Sequence, residues 1–182
     1  MDSLADDIAD QLSKYTACDI SDALLKLQSP GAGFLANLKP YTLNLRHPVK
    51  ITIAPVSTVL FAPKGVDLLE PANNIPEGKH WADLTKPGTI VVMKQPEGQS
   101  NAIFGGIMAL RMTACEAHGI IVAGRVRDLA ELRGTSIPVC ETIPITLELG
   151  SSELEVHYHT CDQAKHAVDL GVCLIHRWKR WR

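Results

Sequence analysis

The sequence has few cysteines, and their spacing does not form a recognisable pattern. The five cysteines are Cys18, Cys115, Cys140, Cys161 and Cys173. An odd number of widely spaced cysteines without a Cys-x-x-Cys pair does not support a disulfide framework. We therefore interpret each cysteine as a small buried side chain and expect a reducing compartment, with the cytosol as the default.

Long hydrophobic runs and an excess of positive charge are also lacking. No segment approaches the ~20 consecutive apolar residues that a membrane-spanning helix needs. Eighteen Lys and Arg residues against twenty Asp and Glu residues give a net charge of −2, which does not favour nucleic acid as a partner. The first ten residues carry Asp2, Asp6, Asp7 and Asp10, the reverse of a signal peptide. We expect a soluble, cytoplasmic protein.

What the sequence does contain is enough apolar material for one core. With 182 residues and 46% hydrophobic residues, we interpret residues 1–182 as a single domain. The middle of the chain alternates apolar strand-like segments with segments of helical spacing, which predicts an α/β fold built in layers. The predicted strands cover 51–61, 89–93, 120–123, 137–140, 145–149, 154–159 and 172–175. The predicted helices cover 4–12, 19–27, 105–118 and 162–170, with a further helix starting over 128–133.

Proline and glycine predict where these elements break. Pro55 inside the first strand indicates a sheet edge or a bulge. Residues 31–48 are predicted to be irregular, and Pro63–Pro87 is predicted to be a long surface loop. Gly119 is predicted to end the helix that begins at Gly105. Residues 145–149 and 154–159 are predicted to form a hairpin.

A glycine pair marks the first candidate site. Gly105 and Gly106 lie at a junction between a loop and a helix, where they permit close approach of a ligand to the backbone. The amides of Gly105, Gly106, Ile107 and Met108 would then form an anion site at the helix N-terminus. The alternative is an ordinary turn or a packing contact.

An Arg-Asp pair marks the second candidate site. Arg127 and Asp128 follow a buried strand and Gly124, at the strand end where α/β proteins usually bind ligands. The guanidinium of Arg127 suits a carboxylate, and the carboxylate of Asp128 suits Mg²⁺ or Mn²⁺. Glu131, one turn further on, could orient Arg127 or a metal-bound water. The alternative is a helix start with solvated charges.

The spacing of these residues resembles the RraA-like family. The family has the signature Gly-x20-Arg-Asp-x2-Glu/Asp. This sequence matches it with Gly106, then Arg127-Asp128 after twenty residues, then Glu131 after two more. The family includes the divalent-metal 4-hydroxy-4-methyl-2-oxoglutarate aldolases. The segment QPEGQSNAIFGGIMALRMTACEAHGIIVAGRVRDLAELR, residues 95–133, looks like its fungal branch. Further similarity is carried by YTACDISDAL at 15–24, APVSTV at 54–59 and PGTIVV at 87–92, and the resemblance spans about residues 12–140.

The resemblance implies a compact α-β-β-α sandwich that assembles as a homotrimer or hexamer. It implies that the backbone of residues 105–108 holds a small 2-oxo acid, that Arg127 pairs with it and that Asp128 serves a Mg²⁺ or Mn²⁺ ion. The implied activity is a carbon–carbon lyase, an aldolase that acts through a pyruvate enolate. Decarboxylation of oxaloacetate passes through the same enolate and is expected as a side activity.

Two departures from the family keep other functions open. Ala123 stands where members commonly have an aspartate. The tail, residues 141–182, has diverged and shows no Pro-Gly-Asp turn. The carboxylate that members place in a neighbouring subunit's site has no clear counterpart; the candidates are Glu148, Glu153, Glu155, Asp162 and Asp169. The chain could instead be a regulatory protein, as bacterial relatives inhibit ribonuclease E, or an aldolase of a specialised biosynthetic pathway.

The tail also carries two clusters of its own. His157, His159 and Cys161 alternate and would share one face of a strand, as zinc ligands or as polar residues of a half-buried strand. The last six residues, RWKRWR, mix cations with aromatics and would bind an anionic partner or remain solvated.

Overall fold

The computed structural model describes residues 2–29, 38–41, 51–63, 75–96, 98–141, 154–160 and 172–175. The strands are β1 (Lys39–Pro40), β2 (Thr52–Pro63), β3 (Ile90–Lys94), β4 (Gly119–Ala123), β5 (Val139–Glu141), β6 (Leu154–Thr160) and β7 (Val172–Ile175). The helices are α1 (Asp2–Leu12), α2 (Ala17–Lys26), α3 (Gly106–Ala114) and α4 (Leu129–Gly134), with a 3-10 turn at Trp81–Leu84.

Four parallel strands form the centre of the sheet. The strand order is β1-β5-β4-β3-β2-β6, in which β5, β4, β3 and β2 run parallel while β1 and β6 pair antiparallel at the two sides. β7 pairs antiparallel with the start of β2. Strands of a parallel sheet that are covered on both faces are apolar at successive positions, as in β3 and β4. The predicted mixed α/β fold is confirmed.

The larger hydrophobic core lies on the side of the sheet that α3, α4 and the 3-10 turn cover. Val91 and Met93 of β3 and Ile120 and Val122 of β4 point to this side, and Met112 of α3 packs against them. Strand alternation sends the intervening residues to the opposite face. There, a smaller cluster contains Ala54, Ile90, Ile121 and Cys140.

The helix boundaries follow from local chemistry. α2 begins after Thr16, whose hydroxyl accepts a hydrogen bond from the Asp19 amide at 3.2 Å, while the Asp19 carboxylate accepts from the Thr16 amide at 2.8 Å. α2 was predicted to begin at Asp19 and begins two residues earlier, because this reciprocal capping box makes Thr16 the N-cap. The same hydrogen bonds from Thr16 lower the pKa of Asp19 below its ordinary value.

Two sequence predictions are wrong, and one holds only locally. β2 as a whole is not an edge strand, because β3 and β6 flank it, but Pro55 lies before the stretches that pair with β3 and β6 and, among the described residues, pairs only with Val172 of β7. α3 ends at Ala114 rather than near His118, because Glu116 takes a left-handed φ of 59° and Gly119 is already the first residue of β4. The supposed surface loop 63–87 contains the buried 3-10 turn at Trp81–Leu84.

The 3-10 turn is held by an aromatic contact that the sequence did not reveal. Trp81 meets Phe61 of β2 edge to face, with the ring centroids 5.4 Å apart. Both side chains are buried, and such aromatic pairs add stability beyond their buried area. Within 31–48, which was predicted to be irregular, residues 39–40 form β1. The predicted strand 145–149 and helix 162–170 lie outside the described residues, as does Cys161.

Candidate functional site

The two loops that carry the predicted site leave the same edge of the sheet. β3 ends at Lys94 and β4 ends at Ala123, and these two residues are paired in the parallel ladder. The carboxyl ends of parallel strands are the usual place for ligands in α/β proteins. The loop after β3 leads to Gly105 and α3, and the loop after β4 leads to Arg127, Asp128 and α4.

These two loops are joined by backbone hydrogen bonds. The Ile103 amide donates to the Arg125 carbonyl at 3.0 Å, and the Arg127 amide donates to the Phe104 carbonyl at 2.9 Å. Phe104 and Val126 also form an isolated parallel bridge. The glycine pair and the Arg-Asp pair, 22 residues apart in sequence, are therefore adjacent in space.

Both glycines are required by this close approach. A Cβ at Gly105 would lie 2.6 Å from Asp128 Oδ2 and 2.9 Å from Arg127 Cγ. A Cβ at Gly106 would lie 1.7 Å from Glu131 Oε2 and 2.8 Å from the Cβ of Glu131. Since real Cβ atoms do not approach other atoms so closely, a side chain at Gly106 would displace α3 or α4, and one at Gly105 would displace the side chains of Arg127 and Asp128.

Asp128 stands at the N-terminus of α4, and its side chain caps α3. It is the N-cap residue of α4 and has left-handed dihedral angles, φ 58° and ψ 47°, which aspartate tolerates better than most residues. Its Oδ2 accepts a hydrogen bond from the Gly106 amide at 3.2 Å, at the N-terminus of α3. A carboxylate is favoured there, because the amides of the first helical turn lack intrahelical acceptors.

Charge of both signs is exposed around this point. The Nε of Arg127 lies 3.7 Å from Asp128 Oδ2, and the side chains of Arg127 and Asp128 are 55% and 39% exposed. Glu131 is also exposed. The guanidinium of Arg127 and the carboxylates of Asp128 and Glu131 therefore face solvent together beside the N-terminus of α3, an arrangement suited to a small carboxylate ligand.

The site could hold a divalent cation with a small number of protein ligands. Among the described residues there is no group of three or more His, Cys, Asp or Glu side chains that could form a complete metal cage. Mg²⁺ does not need one, because it is commonly bound by one or two carboxylates together with waters and substrate oxygens. Asp128 fits this chemistry: both of its described contacts use Oδ2, and the carboxylate has a second oxygen.

The four residues of the predicted anion site differ in their surroundings. Gly105 and Gly106 are buried, and Met108 packs partly against the core. Ile107, by contrast, is 73% exposed, as is Leu110, one turn further along α3, at 71%. Only the backbone of Ile107 lies at the helix N-terminus; its side chain extends the site with an apolar surface.

Sequence reasoning missed two buried polar side chains behind the site. Gln95, directly after β3, donates from Nε2 to the Asn101 carbonyl and accepts at Oε1 from the Arg125 amide at 2.9 Å. Glu141, the last residue of β5, accepts from the Val126 amide at 3.3 Å and from the Tyr41 hydroxyl. The only feature of the sequence that could have indicated these two residues is their position. Each follows or ends a predicted strand, at the carboxyl ends of the strands where the site lies.

The comparisons with known proteins decide the family. A family model described as RraA-like, Aldolase/RraA, matches residues 17–163. The chain belongs to the RraA-like family. This family contains aldolases as well as members of the ribonuclease-inhibitor type.

Solved structures of RraA-like proteins and others share the fold. An uncharacterized protein from Pseudomonas syringae pv. tomato is 16% identical with a TM-score of 0.63, over 84% of this chain and 62% of that one. RraAS2 of Streptomyces coelicolor, described as an unusual member of the RNase ES inhibitor RraA family, is 20% identical with a TM-score of 0.52, over 76% and 65%. A third, titled as a novel cellulase from gut-associated microbes, is 14% identical with a TM-score of 0.57, over 80% and 60%.

The chain spans less than two thirds of the length of these three solved proteins. No curated protein matches it. Within the part of the chain that the structure describes, no helix is long and apolar enough to cross a membrane.

Proposed function

We propose that this RraA-like protein is a divalent-metal-dependent lyase that cleaves or forms small 2-oxo acids of the 4-hydroxy-4-methyl-2-oxoglutarate type. The observation that supports this most is the convergence of Gly105, Gly106, Arg127 and Asp128, with Asp128 Oδ2 3.2 Å from the Gly106 amide. A protein that served only as a scaffold would not need two glycines packed against an exposed Arg-Asp pair.

Each residue has a role that follows from its position. The amides of Ile107 and Met108 in the first turn of α3 bind one carboxylate of the substrate, while the Gly106 amide, which was also expected to bind it, donates to Asp128. Arg127 binds the substrate with its planar guanidinium and balances the negative charge that develops in the enolate. Asp128 holds the cation, and Glu131, one turn along α4, orients Arg127 or a bound water. A bound Mg²⁺ or Mn²⁺ would supply Lewis-acid polarisation of the 2-oxo oxygen.

The bond changes are those of a retro-aldol reaction. The 4-hydroxyl of the substrate loses its proton, the C3–C4 bond breaks and its electron pair moves to C3 as the enolate of pyruvate. Protonation at C3 then gives two pyruvates from 4-hydroxy-4-methyl-2-oxoglutarate. Oxaloacetate, which loses CO₂ to give the same enolate, is proposed as a second substrate.

We propose further that the site is completed in a homotrimer or hexamer. In the described part of the chain, Asp128 and Glu131 are the only carboxylates at the site. A second subunit that covers this exposed site would exclude water from it. A cytoplasmic location is part of the proposal, because Cys18, which is exposed although a buried side chain was expected, and the partly buried Cys115 are free thiols, and a reducing compartment keeps such thiols reduced.

One observation favours a second function. Ile107 and Leu110 present an exposed apolar surface directly beside the charged residues of the site, which suits contact with a protein partner. A regulatory protein of the RraA type, with weakened or lost catalysis, is therefore the second candidate.

The decisive experiment measures pyruvate release from 4-hydroxy-4-methyl-2-oxoglutarate and from oxaloacetate. Assays with Mg²⁺ or Mn²⁺ are compared with assays in chelator, with Arg127→Ala as the inactive variant and Arg125→Ala, on the neighbouring loop position, as the matched control. We expect metal-dependent turnover that Arg127→Ala loses and Arg125→Ala keeps. A folded protein without turnover on either substrate would favour the regulatory function or an aldolase with another substrate.

A further inference from the structure

Glu141 is a fully buried carboxylate at the carboxyl end of β5, with 0% of its surface exposed. Strand alternation places it on the same face as Val139, towards the large apolar core and α4. Burial of a carboxylate in such surroundings costs several kcal/mol unless hydrogen bonds compensate. Its presence there therefore depends on the partners it holds.

The two oxygens of this carboxylate join two distant segments. Oε2 accepts a hydrogen bond from the hydroxyl of Tyr41, and Oε1 accepts one from the backbone amide of Val126 at 3.3 Å. Tyr41 is itself fixed to β5, because its amide donates to the Val139 carbonyl at 2.8 Å. Burial, followed by the hydrogen bond to Glu141 and its charge, raises the pKa of Tyr41, which keeps the hydroxyl protonated as the donor.

Val126 lies in the middle of three successive amides whose partners come from two parts of the fold. The Arg125 amide donates to Gln95 Oε1 and the Arg127 amide to the Phe104 carbonyl, both at 2.9 Å. Gln95 and Phe104 belong to the segment between β3 and α3. Of these three partners, Glu141 alone comes from the β5 side, and it alone has an ionisable side chain.

We propose that Glu141 is a positioning residue that fixes the 125–127 segment against β5 and thereby sets where Arg127 and Asp128 stand relative to Gly106. This inference rests on the proposed function, because it assigns Glu141 a purpose in the same site. Asp128 follows the fixed segment directly and has a left-handed backbone, so a shift of residues 125–127 would move Asp128 with it. Displacement of reacting groups by about 1 Å costs on the order of 10²-fold in rate.

Two substitutions separate positioning from simple stability. Glu141→Ala removes both acceptors, whereas Glu141→Gln keeps a carbonyl oxygen for the Val126 amide and offers Tyr41 an NH₂ donor, so that the Tyr41 hydroxyl becomes the acceptor. The control is Ser57→Ala, which breaks the buried 3.0 Å hydrogen bond between the Ser57 and Thr89 hydroxyls. That bond lies beside the amino end of β3, at the opposite edge of the sheet from the site.

The first measurement is amide hydrogen exchange in the full chain, at a temperature at which all variants are folded. In Glu141→Ala we expect exchange to be faster by about 10-fold at Arg127 and Gly106 as well as at Val126. Glu141→Gln should stay within about 3-fold of the wild type, and Ser57→Ala should leave these three amides unchanged. Faster exchange at Val126 alone would overturn the proposal, because Glu141 would then hold one amide without positioning the site.

The second measurement is the affinity for Mn²⁺ alone, followed by water-proton relaxation, together with pyruvate release. Glu141→Ala should weaken Mn²⁺ binding and lower kcat/KM by about 10²-fold, and Glu141→Gln should restore most of both. Wild-type kcat/KM in folded Glu141→Ala would refute positioning. If the wild type neither binds Mn²⁺ nor releases pyruvate, the proposed function fails, and the exchange data still decide whether Glu141 fixes the segment.

Discussion

The amide of Gly106 donates a hydrogen bond to Oδ2 of Asp128 at 3.2 Å, so the first residue of α3 is tied to the N-cap of α4. One carboxylate thereby stabilises the positive end of a helix and stands in the position proposed for a metal ligand. The helix contact and the proposed metal binding depend on different properties of the side chain. The helix contact needs an acceptor, whereas the cation needs a charge.

Asp128→Asn separates the helix contact from the proposed metal binding. An asparagine keeps an acceptor for the Gly106 amide and tolerates the left-handed backbone, so the melting temperature should stay close to that of the wild type. Mn²⁺ affinity and metal-dependent turnover should be lost, because the amide carries no charge. Thermal melts and Mn²⁺ titrations check this, with Asp128→Ala as the variant that loses both properties. Unchanged Mn²⁺ binding in Asp128→Asn would move the metal to another residue.

Gly106→Ala should destabilise the fold by about 1–3 kcal/mol, as overpacking does. Its Cβ would lie 2.8 Å from the Cβ of Glu131, which a rotation of the Glu131 side chain cannot relieve. The matched control is Gly134→Ala at the end of α4, where no atom lies within 4 Å of the added Cβ. Urea unfolding of both variants gives the free energies of unfolding. Equal values for the two variants would mean that α3 and α4 do not approach as described.

Gln95→Leu should lower the free energy of unfolding by about 1–3 kcal/mol although the side-chain volume is nearly kept. The substitution leaves the Arg125 amide without its acceptor and the Asn101 carbonyl without the donor of Gln95 in a buried place. Lys94→Gln, on the exposed neighbouring residue, is the control that should change little. Chemical unfolding measures the difference, and a neutral Gln95→Leu would show that water replaces both hydrogen bonds.

Asp83→Asn tests the pair that joins the 3-10 turn to α3. Arg111 donates from Nε to Oδ1 and from the second guanidinium nitrogen to Oδ2 of Asp83, both at 2.6 Å, and this pairing lowers the pKa of Asp83. A lowered pKa means that the contribution to stability is present above the ordinary carboxyl pKa of about 4 and is lost as the pH falls through the lowered value.

The melting temperature of Asp83→Asn should therefore lie below that of the wild type at pH 7, and the difference should shrink as the pH falls below about 4. The effect should be small, because both side chains are more than a third exposed and solvent screens the pair. Melting curves between pH 7 and pH 3 provide the comparison. A difference that persists unchanged at the acid end would assign the loss to packing rather than to charge.

Much of the central fold could be predicted from the sequence because its signals are local. The apolar runs at 90–93 and 120–122 are buried on both faces and predict strands of a parallel sheet without further information. The start of α2 was predicted to within two residues, and the capping box of Thr16 and Asp19 that sets it acts over only four residues. The end of α3 was predicted too late, because Glu116 takes the left-handed position in which a glycine was expected.

The order of the strands and the surroundings of Trp81 could not be predicted in the same way. The pairing of β2 with β6 joins residues about 100 positions apart, and no local pattern encodes such a partner. The polar composition of 63–87 predicts a surface loop, yet Trp81 within it is buried against Phe61. Such tertiary contacts override local propensity.

The sequence by itself determined the α/β class, the family and the choice of Gly106, Arg127 and Asp128 as candidate site residues, because these depend on residue types and on their spacing along the chain. Only the tertiary structure decided that Gly105 and Gly106 face Asp128 and Glu131 at distances that exclude a Cβ. It also decided that Gln95 and Glu141 stand behind the site. Their hydrogen bonds join segments brought together by the parallel sheet, and a contact between distant strands depends on packing that no single segment specifies.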